Sequence, residues 1–181
     1  GEATFASIFE GISRAQKSII AQFYIINDDA LGREFADRLI ERAKAGVKIH
    51  LLYDDVGCFW LPRRYKKRLR DAGVEMFSFN HRHRFLRVFG PTRLQYRNHR
   101  KIVVVDGNEG WIGGLNVGDE YMGRKKRFGH WRDTHVYLRG PAVLAATLSF
   151  REDWEWATGK TLSLPLTPIQ VHGKQSVLVM P

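Results

Sequence analysis

Four consecutive β-branched residues, Ile102-Val103-Val104-Val105, run into Asp106-Gly107, and a shorter apolar run then returns to Gly113-Gly114. An Asp-Gly pair between two such runs predicts a tight β-hairpin. That hairpin restricts the chain to folds with an antiparallel strand pair and fixes the direction of whatever precedes it. His99 and Lys101 lie on the run-in, two residues apart, so in extended backbone they project to one face. If the hairpin turns about Gly107–Asn108, facing positions sum to roughly 215. Asn116 then faces His99 and Gly114 faces Lys101, within about one residue of register. An imidazole, an ammonium group, an amide and bare backbone N–H groups in one place suit a phosphate diester.

Upstream, strand-like and helix-like stretches alternate. Thr4 can cap a first helix bearing Phe5, Ile8, Phe9 and Ile12. The stretch 17–26 is apolar and partly β-branched and reads as a buried strand. Asp28 and Asp29 offer N-caps for a helix carrying Leu31, Phe35, Leu39 and Ala43, which stops at Gly46. A strand at 47–53, a basic helix at 62–72 and a strand at 74–79 follow. After the hairpin come a basic loop at 118–129, a strand at 132–138 and a helix from Pro141 to about Trp156 with an apolar face of Leu144, Thr147, Phe150 and Trp154. This order predicts an α/β fold: a mixed, largely parallel sheet flanked by helices on both faces. Residues 80–98 are arginine-rich and without period, and read as a loop over the site. Residues 1–159 form the predicted lobe; 160–181 read as a linker and a strand (175–180) leading into an absent second lobe.

With 44% apolar residues among 181, the chain can bury a full core. Its 29 Lys and Arg against 19 Asp and Glu give a net charge of +10, which favours an anionic partner, either nucleic acid or anionic lipid. The single cysteine, Cys58, excludes an internal disulfide and argues against a thiolate metal cage. No apolar run approaches the ~18–20 residues needed to span a bilayer. The residues in hand are therefore expected to be soluble or peripheral, with transmembrane segments before residue 1 left open.

Phosphodiester exchange needs a nucleophile, cations and donors for the non-bridging oxygens, and an acid for the leaving alcohol. His99 is the candidate nucleophile, forming a phospho-histidine. Lys101 offsets phosphate charge; Gly113, Gly114 and Asn116 supply donors and close backbone approach. No metal or cofactor is expected, because the cations and donors are built in. An imidazole nucleophile needs a partner at its other nitrogen, and Asp133 is the candidate. Asp106 belongs to the candidate catalytic set, although its place at the turn reads as a tie to neighbouring N–H groups rather than a substrate contact.

Among lesser features, Phe59-Trp60-Leu61-Pro62 and the basic residues after it either meet lipid headgroups or form a helix with a core side and a solvated side. His81 and His83 read as loop histidines and His135 as a packed or hydrogen-bonded strand residue. The run Arg124–Arg127 reads as solvated charge, and Cys58 as an inert small residue.

The spacing His99-x-Lys101-x4-Asp106-x6-Gly113-Gly114-x-Asn116 resembles the signature of the phospholipase D superfamily. Further segments resemble its cardiolipin synthase branch: Asn27-Asp28-Asp29-Ala30-Leu31-Gly32, Gly46-Val47-Lys48-Ile49, Gly118-Asp119-Glu120-Tyr121, Trp131-Arg132-Asp133-Thr134-His135 and Gly140-Pro141-Ala142-Val143. Superfamily nucleases typically carry serine where Gly114 stands; Asp55 departs from the glycine frequent in the synthase-like pattern. The resemblance implies a phospholipase D-like α/β sandwich lobe at a bacterial membrane, on the cytoplasmic face of the inner membrane. It implies transfer of a phosphatidyl group, through the histidine, from one phosphatidylglycerol to another, or to water. It also implies a site built from two such motifs. His172-Gly173-Lys174 lacks the aspartate and the Gly-Gly-x-Asn and is a chance match. The second motif must then come from another lobe of the same chain or from a homodimer partner.

Overall fold

The computed structural model describes residues 1–79, 97–127, 129–164 and 175–177. One six-stranded sheet organises them, in the order β3-β2-β1-β4-β5-β6. The strands are β1 (Ser18–Phe23), β2 (Lys48–Tyr53), β3 (Glu75–Ser78), β4 (Ile102–Val105), β5 (Glu109–Gly113) and β6 (His135–Arg139). The helices are α1 (Glu2–Arg14), α2 (Ala30–Lys44), α3 (Arg63–Asp71) and α4 (Ala142–Thr158). The sheet is mixed, as expected, but not largely parallel: β1–β2 and β2–β3 pair in parallel, whereas β1–β4, β4–β5 and β5–β6 are antiparallel, because β4 runs against β1 and the strands after it reverse in turn.

Helices cover both faces. Every residue of β1 is buried, as a strand with helices above and below it requires. Ile19, Ala21 and Phe23 join Val103, Val105 and Trp111 in a core packed under α1, α2 and α3. Ile20, Leu52, Ile102 and Val104 face the other way, against Val143, Ala146, Phe150 and Trp154 of α4. Leu162 is buried and Leu164 packs against this second core, so the start of the expected linker is laid down on the lobe. Residues 175–177 of the last expected strand lie in no strand; the rest of that strand, the 80–96 loop with His81 and His83, and His172-Gly173-Lys174 fall outside the described residues.

Three local expectations change. Thr4 caps nothing, because α1 already begins at Glu2 with Gly1 as its N-cap. Asp29 is the cap of α2, accepting from the Gly32 N–H at 3.1 Å, an interaction of about 1 kcal/mol. Asp28 instead pairs with Arg33 at 2.7 Å and Arg64 at 3.1 Å. In the hairpin, Ile102 pairs with Ile112 and Val105 with Glu109, so facing positions sum to 214 and Lys101 meets Gly113 rather than Gly114. The reason lies in the turn. Asp106 and Gly107 take φ values of 52° and 71°, and Asn108 N–H closes the turn on Val105 C=O at 2.9 Å, leaving Asn108 outside the ladder.

Candidate active site

The carboxyl end of β1 and the amino end of β4 share one edge of the sheet, since Gln22 pairs with Ile102. Tyr24, one residue past β1, and His99, three before β4, therefore meet there. Their rings stack with centroids 4.0 Å apart and planes 18° from parallel. The Lys101 ammonium lies 5.6 Å from the same Tyr24 ring and donates to the His99 carbonyl at 2.5 Å. Imidazole and ammonium are thus gathered on one aromatic platform. Arg97 donates to the Tyr24 hydroxyl at 3.1 Å and brings a second cation beside it. Lys101 is buried, which lowers its pKa; the carboxylate of Asp133 works against that shift.

Behind His99 stands a clamp absent from the sequence-derived site. One oxygen of the buried Asp153 accepts from Gln22 at 2.8 Å, Asn98 at 2.6 Å and Arg100 at 2.6 Å. Asn98 and Arg100 are the two chain neighbours of His99, so α4 holds the histidine's backbone on both sides. A carboxylate buried on the apolar face of α4 was the available signal: Asp153 sits between Phe150 and Ala157 at helical spacing. Tyr24 left no such trace. A cleft of about 710 Å³ opens beside this clamp, between Phe79, Arg97, His99, Arg100, Glu152 and Trp156.

The glycine pair lies beside Lys101, at the end of β5. Gly113 N–H donates to Lys101 C=O at 3.2 Å, and Gly114 N–H to Thr134 C=O at 3.0 Å. A Cβ on Gly114 would stand 2.0 Å from an Asp133 carboxylate oxygen, and one on Gly113 would stand 2.6 Å from the His135 ring. Asp133 thereby reaches the site, with its carboxylate accepting from its neighbour Thr134 N–H at 2.7 Å. Among the described residues no hydrogen bond joins it to His99. His135 is packed, as expected, but both its ring nitrogens are buried without a partner; burial lowers its pKa to about 4, opposed by Asp133 and assisted by Lys101.

Two signature residues serve the scaffold. Asp106 lies at the far end of β4, roughly 17 Å along the strand from Lys101. It accepts from the N–H groups of Gln16, Lys17 and Ser18 at 2.9, 2.7 and 2.8 Å, tying the hairpin turn to the α1–β1 connection. Asn116 accepts from Ile25 N–H at 3.0 Å and donates to the Tyr121 hydroxyl at 3.0 Å, which leaves one amide hydrogen uncommitted. Two members of the basic run after it are paired: Arg124 with Asp119 and Glu2, Lys125 with Glu120 and Asp29. Among the described residues no group of three or more His, Cys, Asp and Glu side chains is arranged to hold a metal ion.

The sequence model of a family described as "Cardiolipin synthase, PLD-like domain" matches residues 8–128. The chain belongs to that family. This PLD-like domain is 50% identical to cardiolipin synthase 2 of Bacillus cereus over 168 residues, covering 91% of the chain and 32% of the relative. Against cardiolipin synthase A of Pseudomonas syringae it is 52% identical over 167 residues, covering 91% and 34%. The PLD-like domain thus spans about a third of the length of the curated relatives it matches. In fold it resembles NucT from Helicobacter pylori (TM-score 0.61, 14% identity, covering 86% of this chain and 90% of that one). It also resembles the phosphatidylserine synthase of Haemophilus influenzae (TM-score 0.61, 18% identity, covering 89% and 36%).

Proposed function

We propose that this domain supplies the nucleophile-bearing half of a two-motif site that transfers a phosphatidyl group between phosphatidylglycerol molecules. The observation that carries the reading is the shared platform: His99 and Lys101 lie on Tyr24, with Gly113 hydrogen-bonded to Lys101 and Asp133 packed on Gly114. A ring nitrogen of His99 attacks phosphorus and the P–O bond to the headgroup glycerol breaks. Glycerol leaves with a proton from an acid on the second motif, and phosphatidyl-histidine remains. The hydroxyl of a second phosphatidylglycerol then gives its proton to that same second-motif group and attacks phosphorus, the P–N bond breaks, and cardiolipin is released with His99 and the acid restored. Water in place of that alcohol makes the same site a phospholipase D. Lys101 and Arg97 offset phosphate charge through both steps, and Asp133 acts on the cationic Lys101.

The relatives' names and the threefold difference in length support a second lobe in the same chain. They support membrane association of the whole enzyme as well, although no helix among the described residues is long and apolar enough to cross a membrane. The net charge of +10 favours one other reading, a homodimeric phosphodiesterase acting on nucleic acid. Full-length protein, the present chain and their His99→Ala variants, each given phosphatidylglycerol vesicles or plasmid DNA, separate the two. Cardiolipin made by full-length protein and abolished by His99→Ala is the expected result, with little turnover by the isolated domain. His99-dependent DNA cleavage by a dimer of this chain, without cardiolipin, would overturn the proposal.

A further inference from the structure

The edge of the sheet that holds His99 also carries the two most exposed large aromatic side chains among the described residues. Phe59 is 70% and Trp60 88% exposed, with ring centroids 5.0 Å apart and planes at 89°. They follow β2, whose last residue Tyr53 pairs with Phe23, so their loop leaves the sheet next to Tyr24. Rings of this size left in water require an explanation when they are adjacent and beside a site.

The loop is held firmly. Asp54 accepts from the N–H groups of Val56 and Gly57 at 2.8 and 3.0 Å. Gly57 packs so closely that a Cβ there would stand 2.1 Å from the Tyr24 carbonyl. Cys58 is buried, and its sulfur accepts from Ile26 N–H at 3.2 Å. Leu61 is buried on the other side. Phe59 and Trp60 are therefore presented outward between two buried anchors, on a loop fixed to the segment whose Tyr24 supports His99.

Cations follow at once. Helix α3 carries Arg63, Arg64, Lys66, Lys67, Arg68 and Arg70 around a buried stripe of Tyr65 and Leu69. That stripe packs on the core, so the helix itself does not lie in a membrane, and the expected core side is confirmed. Its outer face is charged. Arg64 shares Asp28 with Arg33, while Lys67 and Arg68 pair with Asp71 and Asp37. Arg63, one turn from the aromatic pair, has no acidic partner among the described residues.

We propose that the Phe59–Trp60 loop and the first turn of α3 form a membrane-docking surface. The two rings enter the headgroup–acyl boundary of an anionic bilayer while Arg63 and Arg64 meet lipid phosphates. Aromatic rings favour that boundary, and anionic lipid attracts adjacent cations. The geometry favours lipid over nucleic acid: rings at 89° fill an apolar layer but do not present two parallel platforms for successive bases. The function follows from position, because docking at this edge brings the lipid phosphates to the same side of the sheet as His99. This inference rests on the reading of the substrate as phospholipid.

The test is sedimentation of the 181-residue chain with vesicles of phosphatidylglycerol and phosphatidylcholine in equal parts, with pure phosphatidylcholine vesicles, and with plasmid DNA. Wild type and His99→Ala are expected to bind the anionic vesicles alike. Phe59→Ser/Trp60→Ser is expected to bind at least about tenfold more weakly, and Arg63→Glu several-fold more weakly, with unchanged far-UV circular dichroism. Full-length protein bearing the double variant should keep wild-type turnover on short-chain phosphatidylglycerol below its micelle concentration, so loss of docking and loss of chemistry read out separately. Undiminished vesicle binding by the double variant would overturn the docking surface while leaving the transferase reading intact. Binding to DNA but not to anionic vesicles would overturn it as well.

Discussion

The imidazole of His99 lies flat on the phenol ring of Tyr24, 4.0 Å between centroids, and the Tyr24 hydroxyl is held in turn by Arg97 at 3.1 Å. Flat stacking leaves the ring edge, where both nitrogens sit, free to meet a phosphorus atom and a proton partner. The hydroxyl bond fixes the platform, but the stack supplies the orientation. Tyr24→Phe should therefore lower kcat only about two- to threefold. Tyr24→Ala, which removes an aromatic contact of about 0.5–1.5 kcal/mol and frees the imidazole to rotate, should lower it at least tenfold. Steady-state cardiolipin formation by the full-length variants measures both.

Asp153 places three donors on a single oxygen, and two of them belong to the residues either side of His99. Asp153→Asn removes the charge facing Arg100 and turns an acceptor site into a partial donor. A loss of about 3 kcal/mol is expected, seen as a fall in Tm of about 6–12 °C. Because the clamp fixes His99, kcat should fall further than Tm at the assay temperature explains. Asp153→Glu, which restores the charge with one more methylene, should recover part of the Tm but little of the rate.

Much of this was legible in the sequence, and what was not has a physical reason. The sheet, its helices on both faces and the hairpin follow from periodicity, because burial on two faces makes β1 and β4 wholly apolar apart from Ser18 and Gln22. His99 and Lys101 were singled out by a spacing that suits a phosphate site, whereas the Gly113 and Gly114 N–H groups, expected to donate to substrate, are spent on the Lys101 and Thr134 carbonyls. The register came out one residue off because Asp106 and Gly107 both adopt positive φ and leave Asn108 outside the ladder. Tyr24 and Asp153 were missed because each reaches His99 across the fold, 75 and 54 residues away in sequence. For Tyr24 no local pattern encodes such a contact; for Asp153 the one trace is a carboxylate on the apolar face of α4. Asn116, expected to donate to substrate, has its amide oxygen committed to Ile25 and one N–H to Tyr121, and keeps one N–H uncommitted.

Asp106 distinguishes a signature residue from one that touches substrate. Its carboxylate takes three backbone N–H groups far from Lys101, so its role is in the fold. Asp106→Ala should cost about 2–4 kcal/mol through three unsatisfied donors, partly relieved by water at this exposed turn, and lower Tm accordingly. At a temperature where the variant stays folded, kcat should remain within about threefold of wild type. A hundredfold fall in kcat without loss of Tm would show that Asp106 acts in catalysis.

His135 makes stability depend on pH in a definite window. Burial lowers its pKa from 6.5 to about 4, so the folded state favours the neutral ring. Between those values the unfolded chain binds a proton that the folded chain does not. Stability is therefore fully present above pH 6.5 and falls as pH drops through the window toward 4. His135→Phe keeps the packing against Gly113 without a titrating group. Urea unfolding from pH 7 to 4 should show a shallower loss for this variant than for wild type. Equal slopes would mean that His135 finds a partner in solution.

Gly114 separates folding from function most sharply. Only backbone hydrogens occupy the space where a Cβ would come within 2.0 Å of the Asp133 carboxylate, and that carboxylate is the flexible end of an exposed side chain. Gly114→Ala should therefore fold with a Tm within a few degrees of wild type, because Asp133 can swing aside. In moving, it withdraws the negative charge that works against the lowered pKa of the buried Lys101, and the pocket's electrostatic balance changes with it. The rate should fall at least tenfold, and the basic limb of the pH–rate profile should move to lower pH as the Lys101 pKa drops. Asp133→Asn should shift that limb the same way while leaving Gly114 untouched. Agreement between the two variants would assign the effect to the carboxylate, whereas a slow Gly114→Ala enzyme with an unmoved limb would assign it to the added methyl group.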